Sequence, residues 1–328
     1  MGTIVFSTRW AGMPPEEAAL RKLVEWSPGG LLIHERIRQP ELEHLLTFLP
    51  RRSVAALALF SPLPRTVSPN EPSPFRMGSL HPEERRDALQ QALRALEFAD
   101  SAEIRRVIVP SVELEQPSAA ESRDCLAKET LPRVWEGLRR AREDAARRQL
   151  DSYLSTLSHL LEHADRYSVQ LALSLGGLPS EAPDVEEAER TLEEFGGAPL
   201  FLWADALSDS RYRRSAGAGA EKLRGELAGR VAGLFVADGD RQWDHLPLGA
   251  GEVDLSSWDG LRSPAAPSAA KGRIAPPGPG PSATGLLWAI DLARGTGEEE
   301  VLDTRERLRA FLDGPEAGPF EPFLIKAR

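Results

Sequence analysis

The chain has 328 residues, 41% hydrophobic and 27% charged, which excludes a largely disordered polymer and leaves room for one large core or two modest ones. With 40 Lys and Arg against 50 Asp and Glu, the net charge of −10 has the wrong sign for neutralising phosphates, so no nucleic-acid partner is expected. A single cysteine, Cys125, excludes an intramolecular disulfide, no apolar run is long enough to cross a membrane, and residues 1–6 do not read as a secretory leader, so the expectation is a cytoplasmic protein without a membrane partner.

In chain order, short β-rich runs alternate with longer amphipathic ones. A first strand is read at 3–7 (TIVFS), followed by a helix opened by Pro14, Pro15, Glu16 and Glu17. A second strand at 31–35 (LLIHE) precedes a helix opened by Pro40 and Glu41. The third, 54–61 (VAALALFS), leads through 79–84 (SLHPEE) into a helix that carries Leu89, Leu93 and Leu96 on one face and runs to about residue 100. The fourth, 106–112 (RVIVPSV), is followed by a long Arg-rich helix at 131–166. Strands at 169–174 (VQLALS), 200–205 (LFLWAD), 231–236 (VAGLFV) and 285–291 (GLLWAID) then alternate with helices at 184–195, 220–227 and 304–312.

Most of these strands are continuous apolar runs, the pattern of strands buried on both faces. Eight of them with helices between nearly every pair is the arithmetic of a (β/α)8 TIM barrel. A doubly wound open sheet is the alternative, because linear sequence does not show closure. Segment 263–284 (SPAAPSAAKGRIAPPGPGPSAT) reads as a loose insert replacing most of the helix before the last strand, and too little chain follows it for a second domain. The expected organisation is one barrel over 1–313 and a tail at 314–328.

Several motifs compete with structural explanations. His159, Glu162 and His163 match the H-x-x-E-H pattern of zinc proteases. At roughly 100° per residue, however, Leu154, Leu157, Leu161 and Ala164 make the buried stripe and the two histidines face away from it. Arg133, Arg139, Arg140, Arg142, Arg147 and Arg148 could form an anion surface, but Glu136, Glu143 and Asp144 sit at pairing distances along the same helix, so a solvated face is the reading adopted. The GAG fragments at 217–219 and 249–251 complete no phosphate-loop pattern. Trp10, Trp203 and Trp288 near strand ends suit either a ligand wall or core filling. Cys125 reads as a small apolar residue.

Polar residues at strand ends matter more, because barrel active sites lie at the C-terminal ends of the strands. Glu35, Ser174, Asp205, Asp238 and Asp291 would converge on one mouth. Facing carboxylates there would bind a cation or push each other's pKa apart for acid/base work. The competing reading is that each caps the following helix. Of six histidines, His44, His159 and His163 fall on helix faces and His81 at a helix start, which leaves His34 and His245 near the mouth.

The stretch 238–254, DGDRQWDHLPLGAGEVD, resembles the loop after the seventh strand of the sugar phosphate isomerase/epimerase family, the xylose isomerase-like barrels. The runs 93–109 (LRALEFADSAEIRRVIV), 167–173 (YSVQLAL) and 200–205 resemble the approaches to the family's fourth, fifth and sixth strands, and the register extends over about residues 1–313. The resemblance implies a divalent metal held by a Glu ending strand five, an Asp ending strand six, a His on strand seven and a Glu ending strand eight. Asp205 and Asp291 stand at the sixth and eighth positions, Ser174 replaces the fifth-strand Glu, and Phe235 falls where the His belongs. Pro110 and Ser208 take the places of two further family histidines.

Two carboxylates and a hydroxyl are a thin set for a transition metal, so of one divalent metal or none, none is the reading adopted. The resemblance thus implies a degenerate barrel acting as a pseudoenzyme or binding protein for a small polyhydroxylated metabolite or for a protein partner. The alternative is a sugar isomerase/epimerase rebuilt on Asp205 and Asp291, with His245 carrying the proton and Asp244 beside it. Glu35, Ser174, Trp203, Asp238 and Asp244 are the expected ligand-binding residues. Asp205 and Asp291 would be metal ligands only if a metal binds.

Overall fold

The structure is a computed structural model that describes residues 2–12, 15–34, 37–49, 54–58, 76–115, 117–118, 121–122, 132–210, 219–240, 243–262 and 285–314. Glu35, Cys125, residues 59–61, the insert at 263–284 and the tail from 315 lie outside the described residues.

Eight parallel strands close into a barrel: β1 (Thr3–Ser7), β2 (Leu31–Ile33), β3 (Val54–Ala58), β4 (Arg106–Val109), β6 (Gln170–Ser174), β8 (Leu200–Asp205), β9 (Val231–Val236) and β10 (Leu287–Ile290). The pairing of β1 with β10, Thr3 to Leu287 through Phe6 to Ile290, completes the ring and settles the choice against an open sheet. Two further short strands, β5 (Val112–Glu113) and β7 (Glu181–Ala182), pair antiparallel outside the barrel. The run at 106–112 is therefore not one strand. Pro110, which cannot donate to a ladder, separates β4 from β5.

Helices α1 (Glu17–Trp26), α2 (Gln39–Phe48), α3 (Pro82–Ser101), α4 (Pro132–Arg166), α5 (Val185–Glu194), α6 (Gly219–Arg224), α7 (Asp259–Arg262) and α8 (Glu298–Asp313) follow strands around the ring. The last begins earlier than the 304 expected from its apolar spacing. Gly297 N–H donates to Glu300 Oε2 at 2.8 Å, and Glu298, Glu299 and Glu300 complement the positive helix start. On α4, Leu157, Leu160, Leu161 and Ala164 are buried while His159 and Glu162 are exposed, so the H-x-x-E-H sequence lies on the outer face. Arg142 departs from the solvated-face expectation. It is buried, and its two terminal nitrogens donate to Glu187 at 2.7 and 2.6 Å, tying α4 to α5.

Two apolar clusters hold the fold. The larger lies between strands and helices, and a smaller one fills the barrel with Val5, Leu32, Ala56, Ile108, Ala172, Trp203, Ala232, Leu287 and Ala289. The alanines make room for one large ring: a Cβ on Gly233 would lie 2.2 Å from the Trp203 side chain. Trp203 is fully buried, edge-on to Phe235 with centroids 5.4 Å apart, and so forms floor rather than wall. Trp288 packs outward on Phe311, and Trp10 donates its indole N–H to the Thr296 carbonyl.

Candidate functional site

Strand side chains alternate between faces, so inward Val5, Leu32, Ala172, Trp203 and Ala289 place Ser7, His34, Ser174, Asp205 and Asp291 two residues further on, at the C-terminal mouth. One step beyond Ser7, the chain turns into a short 3-10 helix (Thr8–Ala11), which delivers Arg9 to the same rim.

Asp291 is the centre of this side of the mouth. Its carboxylate is buried, with both oxygens 3.0 Å from Arg9 Nε. Arg9 Nη2 donates to His34 Nε2 at 2.7 Å, and His34 N–H donates to Thr8 Oγ1 at 2.9 Å. Because arginine only donates, His34 Nε2 must be the unprotonated nitrogen. His245 Nδ1 lies 3.0 Å from the Asp291 carbonyl and 3.3 Å from its Oδ2, two acceptors, which makes Nδ1 a donor. Burial alone would raise the Asp291 pKa, but the Arg9 guanidinium, the His245 hydrogen bond and the two imidazoles beside it hold it well below the ordinary carboxylate range.

The loop after β9 is what brings His245 there. Asp238 and Leu246 exchange backbone hydrogen bonds at 2.8 Å, and the buried Asp238 carboxylate accepts from the N–H groups of Gly239 (2.8 Å), Val253 (2.9 Å) and Gly249 (2.9 Å). Gly251 is required here, since a Cβ would come within 2.4 Å of the Gly239 carbonyl oxygen. Asp238 is thus the organiser of the loop. His245 takes a left-handed conformation, φ +58°, and its carbonyl accepts from Ala293 N–H, which stitches the loop across the end of β10. Its carboxylate partner is Asp291 rather than the neighbouring Asp244, which is exposed.

Asp205 behaves differently. Its Oδ1 accepts from the N–H groups of Leu207 (3.0 Å) and Ser208 (3.4 Å), and its Oδ2 from Ser208 Oγ (2.8 Å), so it caps the turn that follows β8. Ser174 is half-buried and pairs in register with Trp203. Near this wall stands Glu181, whose Oε2 accepts from Gly177 N–H at 2.7 Å and Leu178 N–H at 3.2 Å. Burial raises its pKa, and the charges of Asp205 and Glu113 add to the shift against those two hydrogen bonds.

Arg9 and Glu181 were not picked out by sequence reasoning, and His34 was placed near the mouth without a role. Arg9 follows the first strand by two residues, but the 3-10 turn that aims it carries no strand alternation to reveal it. Nothing local in the sequence marks Glu181, whose position depends on the β5–β7 pairing.

The positions that the family resemblance assigns to a metal are occupied by other interactions among the described residues. Among the described residues, no group of three or more His, Cys, Asp or Glu side chains could hold a metal ion. Asp291 already carries a guanidinium, the Asp205 oxygens accept from the backbone and Ser208, and Phe235 is apolar and packed on Trp203. Among the described residues, this donor set does not fit a divalent ion.

A closed parallel barrel of this topology, with its polar residues at the strand C-termini, has the xylose isomerase-like (β/α)8 fold. A D-tagatose 3-epimerase-like protein superposes over 94% of this chain and 97% of its own, with a TM-score of 0.63 and 14% identity. The 3-keto-D-glucoside 4-epimerase of E. coli does so over 94% and 99%, with a TM-score of 0.58 and 15% identity. The zinc-bound IOLI protein covers 94% and 97%, with a TM-score of 0.56 and 12% identity. No family model and no curated protein matches the sequence. The fold matches that of the sugar isomerase/epimerase family. Among the described residues, no helix is long and apolar enough to cross a membrane.

Proposed function

We propose that the barrel mouth binds a small polyhydroxylated metabolite without a divalent metal, the chain acting as a binding protein on the scaffold of a sugar isomerase. The observation that carries this reading is the Arg9 guanidinium, with Nε 3.0 Å from both oxygens of Asp291. A fixed cation on that carboxylate replaces the positive charge that a metal would bring, and a second cation beside it would be repelled. The sugar epimerases of the same fold support the ligand class. The charge of −10 and the single cysteine support a cytoplasmic protein without a nucleic-acid or membrane partner.

The test combines elemental analysis of protein purified without chelators with a thermal-shift screen of ketoses, aldoses and polyols, with and without EDTA. Ligand binding raises apparent stability by mass action, so the reading expects shifts that EDTA leaves unchanged. Stoichiometric Mn, Co or Zn, with shifts abolished by EDTA, would sink it.

A second reading, an active isomerase/epimerase, is favoured by one observation. With Nδ1 of His245 held on Asp291, its Nε2 makes no hydrogen bond among the described residues and the side chain is 28% exposed. A base oriented by a carboxylate could remove the proton next to a sugar carbonyl while Arg9 polarises the oxygen. Exchange of that carbon-bound hydrogen with deuterated water, lost in His245→Gln, Asp205→Asn and Asp291→Asn, would establish it. Exchange unchanged in all three variants would remove it.

A further inference from the structure

We infer that the ligand of this mouth carries a carboxylate, making it a polyhydroxylated acid rather than a neutral sugar, and that Arg9 is the residue that selects it. The inference rests on the metal-free reading above and adds the chemical class.

Arginine carries five N–H donors in one plane. Here Nε is committed to Asp291 and one hydrogen of Nη2 to His34. Nη1 makes no hydrogen bond among the described residues, and the side chain is 29% exposed. Nη1 and the second hydrogen of Nη2 are therefore the donors left for a ligand, at least two of them side by side in one plane. Such a fork matches the two oxygens of a planar carboxylate, and a single carbonyl oxygen would use only half of it.

The guanidinium is also preorganised. Asp291 and His34 fix the guanidinium from two directions, so a ligand does not have to order a flexible chain. Asp291 is held ionised by its neighbours and keeps the guanidinium in place. His245, anchored on the same carboxylate, offers Nε2 as an acceptor, so a hydroxyl of the ligand can donate to it. One donor fork and one acceptor, both fixed to Asp291, describe a hydroxyl near a carboxylate. The acidic residues across the mouth do not compete for the fork. Asp205 accepts from its own turn, and Glu181 accepts from the Gly177 and Leu178 backbone.

Isothermal titration of D-gluconate and D-glucuronate against D-glucose, D-sorbitol and D-gluconamide, on the full chain at fixed ionic strength, tests the inference. The acids should bind at least tenfold more tightly than the neutral compounds, D-gluconamide included. Arg9→Lys, which keeps the charge for Asp291 and loses the fork, should lose that preference while its circular dichroism and cooperative unfolding remain those of the wild type. Neutral compounds binding as well as the acids without metal would overturn the inference and leave the metal-free reading standing. Acid preference retained in Arg9→Lys would overturn the role of Arg9. Binding of either series only after Mn²⁺ or Zn²⁺ is added would overturn both, and no binding in any condition would overturn the inference. Should Arg9→Lys fail to fold, the comparison of D-gluconate with D-gluconamide on the wild type decides alone.

Discussion

Asp205 and Asp291 end two strands of one barrel, yet their surroundings give them different work. Among the described residues, the donors to Asp205 are neutral, the N–H groups of Leu207 and Ser208 and the Ser208 hydroxyl, and they hold a turn. Asp291 is more deeply buried and meets a guanidinium and an imidazole, each delivered by a different part of the chain. A carboxylate close to its own turn is consumed by it, whereas one that meets side chains delivered from beyond β1 and from the loop after β9 ties distant parts of the chain together.

The largest effect should come from breaking the Asp291 side. Arg9→Leu leaves a buried carboxylate without its counter-charge and should cost about 3–5 kcal/mol in denaturant unfolding. A loss below about 1 kcal/mol would mean that Asp291 is solvated and the contrast false. Asp291→Asn keeps the shape and removes the charge, so it should cost less, about 1–3 kcal/mol at neutral pH.

The pH dependence has a definite sign. The folded-state pKa of Asp291 is depressed, so its contribution is present above the ordinary carboxylate value of about 4 and disappears as pH falls through the folded value. The advantage of the wild type over Asp291→Asn should be constant from about pH 8 to 5 and close only in strong acid. An advantage that shrinks on going from pH 5 to 8 would contradict the assignment.

On the other side of the mouth the effects should be smaller. Asp205→Ala removes a capping acceptor and should cost about 1 kcal/mol. Glu181→Gln should go the opposite way. Its raised folded-state pKa means that the acid form favours the fold and that stability is lost as pH rises from the unfolded value through the folded one. The variant keeps an acceptor for Gly177 and Leu178, so its midpoint at pH 8 should rise by roughly 1–3 °C, and the gain should vanish near pH 4.

Much of the fold was legible because its signals are local and repeated. Apolar runs mark strands buried on both faces, and Pro or Glu marks helix starts. The resemblance of 238–254 to a family loop identified the segment that carries His245, and the present geometry shows how Asp238 and Gly251 shape it. The site was only half legible, because its pairs span long separations. Arg9 and Asp291 are 282 residues apart and Arg142 and Glu187 are 45 apart, and no periodicity connects either pair. Trp203 was ambiguous for a related reason: its burial depends on Gly233 of the adjacent strand, which leaves space for the ring.

On the reading proposed above, Arg9 supplies the positive charge on Asp291 and leaves no place there for a divalent ion. Titration of Mn²⁺ and Zn²⁺ into the chelator-treated wild type and into Asp291→Asn tests it directly. No stoichiometric binding that depends on Asp291 is expected, and the two proteins should give identical titrations. One equivalent bound by the wild type and lost in Asp291→Asn would contradict it.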